Sequence, residues 1–178
     1  MNLLVINGSP RKLGRTTKLT KWMSQNYQTN LLDLSELTLP IFNGEEETRN
    51  HTDVQKALDA IKSADAIILA TPEYHGSMSG ALKNALDFID NSYFIHKPVA
   101  LLAVCGGGKG GINALNSVRT VARALYANVL SKQLALDPGN MTEQGELLEP
   151  AKTNMDLLIN ELKFYTSISK QLMPERSL

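Results

Sequence analysis

Short apolar runs alternate with helical spacing five times along this 178-residue chain, and that alternation limits the fold more than any other feature. Leu3–Ile6, Asn30–Leu34, Ala64–Ala70, Pro98–Val104 and a broken fifth run, Val129-Leu130 with Gln133–Leu136, read as strands. The helical segments run from the first loop to about Tyr27, from Asp53 as N-cap through Val54, Leu58 and Ile61, from Gly80 to Ile89, from Ile112 to Tyr126, and from Glu146 to about Leu172. Runs such as Ile67-Ile68-Leu69 carry no polar face, so those strands are covered on both sides. Strands alternating with helices imply an α/β domain: a doubly wound parallel sheet with helices on both faces and right-handed crossovers. The length suits one domain spanning residues 1–178. The longest irregular connection, Ser35–Gly44, is expected to fold its apolar part onto the sheet and leave Glu45-Glu46-Glu47 in solvent.

In such sheets ligands bind beyond the carboxyl ends of the strands. Three loops of unusual composition follow strands one, three and four, and so share that edge. The first, Gly8-Ser9-Pro10-Arg11-Lys12-Leu13-Gly14-Arg15-Thr16-Thr17, combines glycines, hydroxyls and arginines where a strand feeds a helix. Free N–H groups at the helix start, with Arg11 or Arg15 as a bidentate partner, suit a phosphate. The glycines are one residue too far apart for a nucleotide triphosphatase loop, and Arg15 stands in place of its lysine. A dinucleotide loop fails at its second glycine. A terminal monophosphate fits best. The second loop, Thr71–Ser77, offers Pro72, Glu73, Tyr74, His75 and Gly76 to the edge of a flat heterocycle. The third, Cys105–Gly111, is nearly bare backbone whose N–H groups suit the pyrimidine end of a flavin.

The balanced charge of +0, with its basic residues dispersed, points away from nucleic acid and anionic membranes as partners. One cysteine excludes an internal disulfide and cannot by itself make a zinc site, and Cys105 reads as a small strand-end residue. No apolar run approaches the ~20 residues of a membrane span, and the chain starts directly on a strand, so the expected setting is cytoplasmic.

Gly8-Ser9-Pro10-Arg11, Pro72-Glu73-Tyr74-His75, Gly80-Ala81-Leu82-Lys83-Asn84-Ala85-Leu86-Asp87 and the glycine-rich loop together resemble the NADPH-dependent FMN reductases of flavodoxin-like fold, and most of all the bacterial FMN-dependent NADPH azoreductases. The resemblance runs to about Asp137. It implies a flavodoxin-like five-stranded sheet of order 2-1-3-4-5 in three αβα layers. It also implies FMN as cofactor, NADPH as electron donor, ping-pong hydride transfer, and azo compounds, quinones or similar small molecules as acceptors. By the same resemblance Ser9, Arg11, Arg15, Thr16 and Thr17 hold the FMN phosphate. Pro72, Glu73, Tyr74, His75 and Gly76 contact the isoalloxazine edge, mostly through main chain. Gly106, Gly107 and Gly108 face the pyrimidine end, and Lys109 or a nearby arginine is the candidate for the NADPH 2′-phosphate. His75, where many relatives have Asn, is a candidate proton donor, and no other side chain need act in catalysis. A homodimer or homotetramer with Gly80–Asp90 at an interface is implied too. A non-catalytic FMN electron carrier and a flavin-based redox sensor remain as alternatives.

Overall fold

The computed structural model describes residues 1–107 and 110–172. It contains β1 (Leu3–Asn7), α1 (Arg15–Asn26), β2 (Asn30–Asp33), α2 (Glu46–Arg49), α3 (Thr52–Ser63), β3 (Ala66–Pro72), α4 (Gly80–Asp87), β4 (Pro98–Val104), α5 (Ile112–Ala124), β5 (Asn128–Leu136) and α6 (Ala151–Leu172). All strand pairs are parallel, in the order β2-β1-β3-β4-β5.

Strand side chains alternate between faces, so the sheet carries two cores. Leu4, Ile6, Ile67, Leu69, Val99 and Leu101 meet α3, α4 and α5 on one side. Val5, Ile68, Ala100 and Leu102 meet Leu19 and Met23 of α1 and Met155, Leu158 and Leu162 of α6 on the other. The central strands β1, β3 and β4 are buried along their whole length, as their unbroken apolar runs require.

Several boundaries differ from the sequence expectation. The cap of α3 is His51, whose Nδ1 accepts the Asp53 N–H at 3.2 Å. Asp53 sits inside the first turn, where the helix dipole favours it and its carboxylate accepts the Thr38 N–H at 2.9 Å. Strand β3 extends through Thr71 and Pro72, paired with Ala103 and Val104, because the proline's missing N–H is tolerated at a strand end. The last helix begins at Ala151, after Pro150. Residues 138–148 instead form a strap, with a 3₁₀ turn at Pro138–Asn140 and an antiparallel bridge between Met141 and Leu147. Helix α4 stops at Asp87, yet Phe88 and Ile89 remain buried. The fifth strand is continuous but bulged: its pairing with β4 jumps from Val99–Val129 to Leu101–Gln133, which explains its broken pattern. In the long connection Leu37 and Leu39 pack on the core, whereas Ile41 is exposed and Phe42 partly so, its ring edge-on to Phe88 at 5.2 Å. Two of the three glutamates open the short helix α2.

Lys97 is only 4% exposed and donates from Nζ to the carbonyls of Ile61 (2.7 Å) and Lys62 (2.9 Å). It closes the carboxyl end of α3, where carbonyls lack helical partners and a cation is favoured. Lys97→Met is expected to cost about 1–3 kcal/mol, since it removes the charged donor from both carbonyls and leaves that of Ile61 only the Ala64 N–H at 3.4 Å. Thermal unfolding of the two proteins measures this.

Candidate flavin site

The first loop is held against the core by its backbone. The Gly8 N–H donates to the Ala70 carbonyl at 2.7 Å, and the buried Ser79 hydroxyl donates to the Gly8 carbonyl. Ser79 also caps α4, accepting the Leu82 N–H at 3.0 Å, so one side chain joins the first loop to the start of that helix. A Cβ on Gly8 would lie 2.8 Å from the Ala70 carbonyl oxygen and 2.9 Å from the Leu82 Cβ. Only glycine lets the chain pass here.

Beyond Gly8 the loop turns back on itself. Ser9 Oγ accepts the Arg11 N–H at 3.1 Å, and the Arg11 carbonyl accepts the Gly14 N–H at 2.9 Å. Helix α1 then starts at Arg15 with Gly14 as a cap that offers no side chain and with no acidic residue in the first turn. Its leading N–H groups and dipole face the loop without a competing carboxylate, which is what a phosphate cradle needs.

These pieces line a cleft of about 690 Å³ at the carboxyl edge of the sheet. Of the residues singled out in the sequence, it brings together Ser9, Arg11, Arg15, Thr16, Pro72, Glu73, Tyr74 and Gly106. The Arg15 guanidinium reaches across toward the third loop: its Nη1 is 3.4 Å from where a Gly106 Cβ would be. Gly108 and Lys109 lie outside the described residues.

Thr17, His75, Gly76 and Gly107 are not part of the lining. Thr17 is fully buried, its hydroxyl donating to the Arg11 carbonyl at 2.7 Å and accepting from Asn7 Nδ2 at 2.9 Å. His75 and Gly76 form the tip of a two-residue hairpin turn between Tyr74 and Ser77, with φ of 51° and 77°. A turn of that kind requires left-handed backbone at both central positions, which places them in solvent at the rim. Gly107 is exposed as well. The Glu73 carboxylate is engaged elsewhere, accepting the Ala114 N–H at 3.1 Å in the first turn of α5 and so tying the second loop to the end of the third.

One wall was not anticipated. Pro138, Met141, Thr142, Glu143 and Gly145 of the strap line the cleft, as do Leu13, Lys18 and Cys105. Lys18 Nζ donates to the Glu143 carbonyl at 2.7 Å, and Gly145 lies so close to α1 that a Cβ would sit 2.5 Å from the Lys18 carbonyl carbon. The turn chemistry of Asp137-Pro138-Gly139-Asn140 was the available signal. The Cys105 thiol donates to Asp137 Oδ1 at 2.9 Å, which ties the strap to the end of β4. A second cavity, about 620 Å³, opens near His96 and Pro98 at the amino ends of β4 and β5 and contains none of the residues singled out above.

Behind the cradle, Asp33 accepts from Asn7 Nδ2 at 2.6 Å, from the Ser35 N–H at 3.0 Å and from the Ser35 hydroxyl at 2.7 Å, with Lys21 Nζ 3.5 Å away. Burial pushes its pKa up, but these hydrogen bonds and Lys21 outweigh it and the carboxyl titrates below its ordinary value. A group depressed on folding stabilises the fold above its unfolded pKa and loses that contribution as pH falls through the folded value. Melting temperature is therefore expected to drop below about pH 4, and Asp33→Asn to make that drop shallower. Calorimetry of both proteins from pH 7 to pH 3 is the check.

A parallel α/β sheet whose strand-end loops converge on one cleft, with a phosphate-type cradle at its base, defines a nucleotide- or flavin-binding protein of flavodoxin-like architecture. The family model for NADPH-dependent FMN reductase matches residues 1–140. An NADPH azoreductase of Bacillus sp. (strain OY1-2) is 51% identical over 172 residues, covering 97% of this chain and 96% of that protein. An FMN-dependent NADPH-azoreductase of Staphylococcus aureus (strain USA300) is 33% identical over 147 residues, covering 76% of each. In fold, the chain is similar to FerB, a flavoenzyme NAD(P)H:(acceptor) oxidoreductase from Paracoccus denitrificans, with a TM-score of 0.71, 19% identity and coverage of 96% and 97%. The chain belongs to the NADPH-dependent FMN reductase family, an oxidoreductase family built on FMN and NADPH.

Proposed function

We propose that this protein uses FMN held in the cleft to carry electrons from NADPH to small oxidised acceptors, azo compounds and quinones among them. The observation that carries the reading is the 51% identity to an NADPH azoreductase over nearly the whole chain, on a fold whose loops meet at one cleft. The donor set fits the group. The uncapped start of α1 with Ser9, Arg11, Arg15 and Thr16 suits a dianionic phosphate, and Pro72, Glu73, Tyr74 and Gly106 present the edges of two loops to a flat ring. When bound, FMN supplies a two-electron relay between donor and acceptor.

The protein's own part is positional. Arg11 and Arg15 fix the phosphate end, the turn from Pro72 to Tyr74 fixes one edge of the ring, and the backbone N–H groups after β4 favour charge at the opposite end. His75, exposed at the rim, remains the candidate proton donor toward an acceptor.

Self-association into a dimer or tetramer is part of the proposal. Leu82, Ala85 and Leu86 of α4 are spent in the protein's own core, so the apolar surface next to that helix comes from Ile41 and Phe42. No helix among the described residues is long and apolar enough to cross a membrane, and the balanced charge points away from nucleic-acid partners; a cytoplasmic setting is part of the proposal.

Steady-state rates with NADPH varied against an azo dye or a quinone test the reading. Parallel double-reciprocal lines are expected, since donor and acceptor use the same open face in turn. Tight flavin binding with negligible turnover toward every small acceptor would instead indicate an electron carrier or sensor.

A further inference from the structure

Asn7 is a fully buried amide at the end of an otherwise apolar strand. It is not part of the cleft lining, yet its side chain touches three of the elements that build the cradle. Its Oδ1 accepts the Ser9 N–H at 3.1 Å, which sets the second residue of the loop. Its Nδ2 donates to Thr17 Oγ1 at 2.9 Å, in the first turn of α1, and to Asp33 Oδ1 at 2.6 Å, at the end of β2.

Thr17 passes the constraint on. Having accepted from Asn7, its hydroxyl donates to the Arg11 carbonyl at 2.7 Å, the same carbonyl that takes the Gly14 N–H. The relay Asn7 to Thr17 to Arg11 therefore locks the main chain that carries the Arg11 side chain to the cleft. Asp33 anchors the amide from behind and dictates its orientation, because an ionised carboxylate accepts only from the NH₂ group. Oδ1 is thereby left for Ser9. One side chain thus orders both ends of the loop before any ligand arrives, and ordering in advance removes a cost that binding would otherwise bear.

We propose that Asn7 is the positioning residue that gives the cradle its selectivity for a terminal phosphate, and so sets the preference for FMN over riboflavin. The inference rests on the flavin reading above and adds to it the group responsible for phosphate selectivity. The ring end is held by the loops after β3 and β4, which Asn7 does not touch, so loss of the amide weakens the phosphate end selectively.

The test is fluorescence titration of the flavin-stripped full chain with FMN and with riboflavin. Asn7→Leu keeps the number and branching of the side-chain heavy atoms and removes all three bonds; Thr17→Val breaks the relay at its second link without altering Asn7. Wild type is expected to prefer FMN. Asn7→Leu should weaken FMN by roughly 30-fold and Thr17→Val by roughly 10-fold, by analogy with the loss when groups behind the ligands of a metal are removed. Riboflavin affinity should stay within about threefold of wild type, whereas general loss of structure would lower both. Should Asn7→Leu fail to fold, Thr17→Val carries the test alone. Equal weakening of FMN and riboflavin in the folded variants overturns the role of Asn7 while leaving the flavin site standing. A wild-type protein with no preference for FMN overturns the phosphate cradle itself.

Discussion

Gly8→Val should unfold this protein at a temperature about 6–12 °C below wild type, corresponding to about 3 kcal/mol for a domain of this size. The first added carbon would lie 2.8 Å from a main-chain oxygen of β3 and 2.9 Å from Leu82 of α4. Neither neighbour can yield freely, because Ala70 is in the centre of the sheet and Leu82 is wholly buried. The displaced loop would also forfeit the Gly8–Ala70 and Ser79–Gly8 hydrogen bonds. Gly80→Ala is the matched control. Its Cβ would meet nothing within 4 Å, and it occupies the first turn of α4. Alanine there should be neutral or stabilise by up to about 1 kcal/mol through the unfolded chain. Differential scanning calorimetry of the three proteins decides the matter; equal losses from both substitutions would mean that the close approach at Gly8 is not what holds the loop.

Removing both cleft arginines should have the largest effect on cofactor affinity. Arg11 and Arg15 are the lining residues able to form charge-assisted pairs with a phosphate in bidentate geometry. Each such pair is worth about 1.5–3 kcal/mol, so Arg11→Ala/Arg15→Ala should raise the FMN dissociation constant roughly a thousandfold. The remaining binding should lose most of its dependence on salt, because the charges that salt screens are gone. Either single variant should fall between. Titration of FMN fluorescence at low and high ionic strength measures both effects.

Much of this is legible in the residues themselves. β4 is legible to the residue, and β1 and β3 with shifts only at their ends, because strands covered on both faces leave unbroken apolar runs. The three loops were legible because glycine, proline and arginine at strand ends have few structural uses. Less was legible where the determinant is a contact between distant segments. The end of the strap, Glu146 to Leu148, reads as the start of the last helix in the sequence; what decides its path is Gly145 meeting the backbone of α1. In the sequence Thr17 is indistinguishable from the other hydroxyls of the loop, and only the fold shows that its oxygen is already used by Asn7 and Arg11. Asn7 is not legible in the sequence because one amide at the end of an apolar run carries no pattern. His75 and Gly76 were placed with the loop they belong to, but the left-handed turn from Tyr74 to Ser77 lifts them to the rim.

The most direct test of the central claim is the visible spectrum of the FMN-saturated protein under anaerobic conditions, recorded before and after one equivalent of NADPH and again after an azo dye or quinone. Flavin absorption should bleach on NADPH and return with the acceptor. Flavin that binds but keeps its oxidised spectrum with NADPH would contradict the account.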